Sequence, residues 1–242
     1  MHLVLCMAGV YRRFREAGYA LPKFLLPWEG GTILSTILAR MLAGGAFASV
    51  LLVGNRRDAA HRASIEASLR AQGLPEDALL LNDDTAGQAE TAALAVAELD
   101  RRLAPRDRRV VFHNIDTVLL GRDYAAIGAT LMRDDGFIDT FDADSAAYSY
   151  VALDDAGLVI DIAEKVVISR HATTGLYGFA SMDAYLAAYA GCRWPTGERY
   201  ISTLYRSLIA RGARLRADGG GPAARTIVLG TPAEYEAARR ST

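Results

Sequence analysis

The residues best suited to handling anionic groups in this 242-residue chain are two lysines and a cluster of arginines. Of its 27 basic residues only Lys23 and Lys165 are lysines. An apolar run at 2–7 leads into Ala8-Gly9-Val10-Tyr11-Arg12-Arg13-Phe14-Arg15, and Pro22-Lys23 follows. A loop leaving the first strand of an α/β sheet is where phosphates dock, on backbone N–H groups at a helix start. There Arg12 and Arg13 would supply forked donors, and Lys23 a point charge on backbone stiffened by Pro22. The same arginines also read as a solvated basic face.

The elements that must position these groups follow from periodicity. Apolar runs at 2–7, 48–54, 78–82 and 109–113 predict strands buried on both faces. Helical stretches near 32–43, 58–72 and 87–103 separate them. Such βαβ alternation predicts a parallel sheet with helices on both sides, whose ligands sit beyond the carboxyl ends of the strands. After about residue 120 the segments 135–141, 146–153, 157–163 and 174–180 are short and β-like, with a hairpin turn at Asp154-Asp155-Ala156-Gly157. Helices near 182–190 and 199–211, a strand at 225–229 and a helix at 232–240 close the chain.

Composition narrows the function classes. The net charge is -1, without the basic surplus of a polyanion binder, so no nucleic-acid partner is expected. No apolar run reaches the roughly 18 residues of a membrane helix, and the start has no basic leader, so no membrane partner and a cytoplasmic location are expected. Cys6 and Cys192 form neither a disulfide framework nor a metal spacing. Whether the chain is a homo-oligomer is not readable.

The loop from Met7-Ala8-Gly9 through Arg13-Phe14, Ala17-Gly18-Tyr19 and Pro22-Lys23 resembles the signature loop of the sugar-phosphate nucleotidyltransferases. The resemblance continues through Thr85-Ala86-Gly87-Gln88, His113-Asn114-Ile115-Asp116, Tyr148-Ser149-Tyr150-Val151, Ala163-Glu164-Lys165, Thr174-Gly175-Leu176-Tyr177-Gly178-Phe179, Gly197-Glu198-Arg199-Tyr200-Ile201-Ser202 and Leu229-Gly230-Thr231-Pro232. It implies an α/β, Rossmann-like (GT-A-type), mostly parallel mixed sheet flanked by helices in a single compact domain. Residues 1–120 would be its nucleotide-binding half and 121–242 its acceptor-binding half. The implied reaction moves a nucleoside monophosphate from a nucleoside triphosphate to a phosphorylated small-molecule acceptor, such as a sugar phosphate, and releases pyrophosphate in nucleotide-sugar biosynthesis. By the same resemblance Arg13, Lys23 and Lys165 are catalytic. Ala8, Gly9, Gly87, Gln88 and Asn114 bind the nucleotide, and Arg12, which departs from the family pattern, would either replace lost N–H contacts with its guanidinium or swing out to solvent. Glu164, Lys165 and Gly175 meet the acceptor, and Asp116 coordinates Mg2+; with the family's second carboxylate missing, Mg2+ would rest on Asp116 plus phosphates, on Asp116 and Glu198 as the nearest carboxylate, or bind weakly.

Bland readings stand beside several of these. Asp116 also reads as a turn cap with Thr117, Glu164-Lys165 as a surface ion pair, and Gln88 as an ordinary helix start. The chain also departs from the family pattern. Tyr11 replaces a glycine and Arg12 a Ser/Thr, Phe24 replaces a proline, and Ser202-Thr203 stands where a second metal carboxylate is expected. These departures define an alternative: a nucleotidyltransferase-like binding or regulatory protein with weak or no catalysis. Asp142-Ala143-Asp144 suggests a third, a glycosyltransferase with an Asp-x-Asp metal motif.

Overall fold

The computed structural model describes residues 1–103, 107–194 and 197–241. The first half runs β1 (His2–Cys6), α1 (Arg12–Glu16), β2 (Pro27–Trp28), β3 (Gly31–Thr32), α2 (Ile33–Leu42), β4 (Ser49–Asn55), α3 (Arg62–Arg70), β5 (Leu79–Asn82), α4 (Gln88–Leu103) and β6 (Val110–Asn114). The second runs β7 (Thr117–Leu120), α5 (Tyr124–Thr130), β8 (Gly136–Asp142), β9 (Ser149–Leu153), β10 (Val159–Glu164), β11 (His171–Phe179), α6 (Met182–Ala190), α7 (Ile201–Ile209), β12 (Leu215–Asp218), β13 (Arg225–Val228) and α8 (Pro232–Ser241). All the expected strands and helices are present. The elements not anticipated are short: α1, the β2–β3 hairpin, β7, α5 and β12. β7 gains its pairing from β13 and β12 from β8, partners distant in sequence.

One nine-stranded mixed sheet organises the chain, in the order β10-β9-β11-β6-β1-β4-β5, with β8 on β11 and β12 on β8. It is parallel through β6-β1-β4-β5 and turns antiparallel at the β6–β11 pair. Leu3 and Leu5 of β1 enter the core on one face, with Ile33, Leu34 and Ile37 of α2. Val4 enters the core on the other, with Ala92 and Val96 of α4. That is the physical reason β1 reads as a continuous apolar run. Thr32 and Ser35 cap α2 reciprocally, and Asp123 and Ser181 cap α5 and α6. No helix among the described residues is long and apolar enough to cross a membrane.

Register brings the chemistry together. Cys6, the last residue of β1, lies beside Val53 of β4 and Asn114 of β6. The loops that follow these three strands therefore emerge side by side at the carboxyl edge of the parallel sheet. β11 then runs back past β6, its register against β8 shifts between Thr173 and Tyr177, and Gly175 within that stretch comes against Asn114 at that same edge.

Candidate active site

A cleft of about 780 Å³ opens along this edge. It is lined by Ala8, Gly9, Arg13, Lys23, Gly87, Gln88, Asn114, Asp116, Glu164, Lys165, Gly175 and Glu198. Of the residues given nucleotide, acceptor, catalytic or metal roles in the nucleotidyltransferase reading, Arg12 alone does not line it. Tyr11, at φ 39° and ψ 40°, turns the chain into α1, and Arg12 begins that helix exposed to solvent. Asp142 and Asp144 lie outside the cleft lining as well, and Asp142 pairs with Arg170 at the surface. The Asp-x-Asp reading thus loses its site.

At one end of the cleft, Lys23 opens a 3₁₀ turn whose next residues, Phe24 and Leu25, are buried and fix its position. Its Nζ donates to Asp116 Oδ2 at 2.5 Å. Burial alone would raise the Asp116 carboxyl, but the Lys23 ammonium outweighs it and holds the group below the usual carboxylate range. His113, fully buried at the end of β6, donates from Nε2 to the Thr117 carbonyl at 2.8 Å. Burial pulls its pKa down to about 4, so the imidazole beneath this corner is neutral.

In the middle, Gln88 at the start of α4 donates to the Asn114 side-chain carbonyl. Gly175 has φ +85°, and a Cβ there would lie 2.1 Å from Asn114 Nδ2. Only glycine permits that contact. The bulge is braced from below. Arg122 and Asp139 form a buried ion pair at 2.8 Å, and Thr174 donates to the second Asp139 oxygen at 2.8 Å. Gly87 is equally constrained, since its Cβ would come within 2.7 Å of Arg199 backbone. The Arg199 amide donates to the Ala86 carbonyl at 2.7 Å, and the Ala89 amide donates to the Arg199 carbonyl at 2.9 Å. The turn at 85–88 is thereby zipped to the segment entering α7.

At the other end, Glu164 accepts hydrogen bonds from the hydroxyls of Ser149 and Ser202, the latter at 2.7 Å. Lys165 sits at φ 56°, a left-handed conformation unusual for lysine. Its Nζ donates to the Tyr200 hydroxyl at 2.9 Å and lies 4.8 Å from that ring's centroid. The hydrogen bond to Tyr200 holds the Lys165 pKa above its ordinary value. Tyr200 in turn donates to Glu198. Glu198, expected beside the metal, is therefore linked to Lys165 through Tyr200.

Arg57, Tyr148, Ser202 and Glu234 also line the cleft and were not singled out as site residues from the sequence. Glu234 matters most. It accepts from the Tyr148 hydroxyl at 3.1 Å and from Thr231 Oγ1 at 2.8 Å. A Cβ on Gly230 would stand 3.5 Å from both Asp116 Oδ2 and Glu234 Oε2, so these two carboxylates face one small region. In sequence, Thr231-Pro232-Ala233-Glu234 reads as a helix capping box, which hides the second role. Among the described residues no group of three His, Cys, Asp or Glu side chains is arranged to hold a metal by itself.

No protein-family model matches the chain, and no curated protein matches it. Solved structures do. A nucleoside-diphosphate-sugar pyrophosphorylase from Vibrio cholerae is similar over 98% of this chain and 99% of its own, with 28% identity and a TM-score of 0.82. A putative glucose-1-phosphate thymidylyltransferase from Bacillus anthracis, in complex with a sucrose, covers 100% and 94% at 15% identity and a TM-score of 0.81. An inositol-1-phosphate CTP transferase from T. maritima covers 96% and 90% at 13% identity and a TM-score of 0.73. The resemblance read from the signature loop and the expected fold class are thus both borne out.

Proposed function

We propose, for a chain with the sugar-phosphate nucleotidyltransferase fold over 98% of its length, that this cleft transfers a nucleoside monophosphate from a nucleoside triphosphate to a phosphorylated small-molecule acceptor. An oxygen of the acceptor phosphate attacks the α-phosphorus. The bond from that phosphorus to the α,β-bridging oxygen breaks, and pyrophosphate leaves with the electron pair. Both reactants are anions, so the work of the site is alignment and charge neutralisation. The observation that carries the reading is two sets of cationic side chains in one cleft, from strands four places apart in the sheet: Arg13 and Lys23 in the segment after β1, Lys165 just after β10. Gly9 and its neighbours offer amides to the triphosphate, and Arg13 and Lys23 stabilise charge on the leaving pyrophosphate. Gly87, Gln88 and Asn114 line the nucleoside position. Lys165 and Gly175 meet the acceptor, with Glu164 taking hydrogen bonds from its hydroxyls.

The residues fit a divalent cation. Mg2+ binds through one or two carboxylates completed by phosphate oxygens, and Asp116 and Glu234 present oxygens to one region beside Lys23. Asp116, with Glu234 in place of Glu198, would hold it, and the bound ion would supply charge neutralisation at the phosphates. Purified protein with Mg2+, the four nucleoside triphosphates and a set of sugar phosphates should release pyrophosphate. No release with any combination would reduce the reading to a nucleotide-binding protein.

A further inference from the structure

Tyr11 stands where the family pattern has glycine, in backbone geometry that suits glycine. Its φ of 39° and ψ of 40° are left-handed, and no side-chain hydrogen bond caps the helix it precedes. A residue with a Cβ is disfavoured there unless its surroundings hold it in place. They do so through the side chain. The Tyr11 hydroxyl donates to Asp58 Oδ1. Arg15 donates to the same phenolic oxygen at 3.1 Å, with its guanidinium 4.7 Å from the ring centroid. Phe24 meets the ring edge-on at 6.5 Å. Asp58 is 1% exposed, and its second carboxylate oxygen is buried without a hydrogen-bond partner.

We infer that Asp58 is a positioning residue that acts through Tyr11, latching the loop after β1 in the shape that presents the Gly9 amide and Arg13 to the cleft. The latch joins three segments that bound the nucleotide end. Tyr11 belongs to the loop itself, Phe24 to the turn carrying Lys23, and Asp58 to the 3₁₀ segment Arg56–His61 that carries Arg57 into the cleft. Asp58 itself is not part of the cleft lining. A glycine would reach this geometry freely and leave it as freely. A tyrosine tied to a buried carboxylate reaches it once and stays, which lowers the ordering cost of binding. Phosphate binding by this loop is the proposed function above, and the consequence for affinity rests on it.

The test compares wild type with Tyr11→Phe, Asp58→Ala, Asp58→Asn and the Tyr11→Phe/Asp58→Ala double variant. Amide hydrogen exchange over residues 9–16 is measured on protein with no ligand added. Calorimetry with Mg2+ and inorganic tripolyphosphate then reads affinity at a temperature well below unfolding. Tyr11→Phe and Asp58→Ala should each speed local exchange and weaken tripolyphosphate binding roughly tenfold, the scale of a hydrogen bond to a charged group. Exchange elsewhere should be unchanged. Asp58→Asn keeps an acceptor for the phenol and should stay near wild type, and the double variant should be no worse than either single change. Unchanged exchange in both single variants, exchange raised evenly along the chain, or additive losses in the double variant would overturn the latch. If Asp58→Ala does not fold, Tyr11→Phe, which keeps the ring packing, decides alone. Wild-type protein that ignores tripolyphosphate would sink the phosphate role of the loop, while the exchange data still decide the latch.

Discussion

The two lysines of the cleft are held in opposite ways. Lys23 sits on a turn pinned by two buried side chains, is 16% exposed, and is neutralised by a carboxylate at 2.5 Å. Lys165 sits in a left-handed loop position, is exposed, and leans on the uncharged hydroxyl and face of Tyr200. The first corner is a wall in which charge is already balanced. An anion arriving there must share Lys23 with Asp116, or bring a cation that takes the carboxylate over. The second corner presents an exposed positive charge hydrogen-bonded to Tyr200, with Glu164 and Glu198 nearby, open to an incoming phosphate. A compact ammonium suits both places, and a bulkier planar guanidinium would change the contact made with Asp116 or with Tyr200. Lysine stands at these two in a chain with arginine at 25 other positions.

The sharpest way to break the comparison is Lys23→Ala. Loss of a charge-stabilising group at the leaving pyrophosphate should lower kcat roughly 10²- to 10³-fold, with the fold checked by circular dichroism. Pyrophosphate release under saturating substrates measures it. The wall reading also predicts that Lys23→Arg rescues poorly. A Lys23→Ala enzyme less impaired than its Lys165→Ala counterpart would reverse the assignment of the two corners.

The first corner was more legible in the sequence than the second. β1, β4 and β6 announced themselves because strands buried on both faces are apolar runs, whereas β5, also read as buried on both faces, lies at the sheet edge with only Leu79 buried; the loops at their carboxyl ends follow from α/β topology. Lys23, Gly9 and Asp116 lie within or at the end of such contiguous signals. Of the two readings open for Arg12, phosphate donor or solvated residue, the structure takes the second: Arg12 begins α1 exposed, just past the left-handed turn at Tyr11. Glu234 and Ser202 were missed because their roles depend on partners far along the chain: Tyr148 for the first, Glu164 for the second. β7 and β12, four residues each, carry too little local pattern to be called, and exist through pairing with β13 and β8.

A pH experiment sharpens the comparison at a smaller scale. The balanced corner stands on His113, whose pKa in the fold, about 4, lies below the ordinary 6.5. Protons then bind the unfolded chain more readily through this window, so stability should be full above about pH 6.5 and fall as the pH drops toward 4. Between pH 7.5 and 5 the loss from this one group should be about 2 kcal/mol. Urea unfolding at the two pH values measures it. His2, whose pKa burial also lowers, contributes with the same sign, so the informative quantity is the difference between wild type and His113→Asn. Asp116, held low by Lys23, adds its own loss only at still lower pH. An identical pH dependence in wild type and His113→Asn would show that the imidazole is not held neutral beneath this corner.

The smallest effect belongs to the open corner, and there the backbone must be controlled for. Lys165→Ala would remove the ammonium and keep a Cβ-bearing residue at φ 56°, as lysine already is. Lys165→Asn also removes the ammonium, at a residue type that tolerates left-handed geometry better than most. It should raise KM for the phosphorylated acceptor about tenfold, the low end for a charge-assisted hydrogen bond, and leave KM for the nucleoside triphosphate unchanged. Tyr200→Phe, which keeps the ring face and removes the hydroxyl that Lys165 now donates to, should shift acceptor KM less than Lys165→Asn does. Equal shifts in both KM values would mean that Lys165 serves the nucleotide, and the division of the cleft into a balanced and an open corner would then fail.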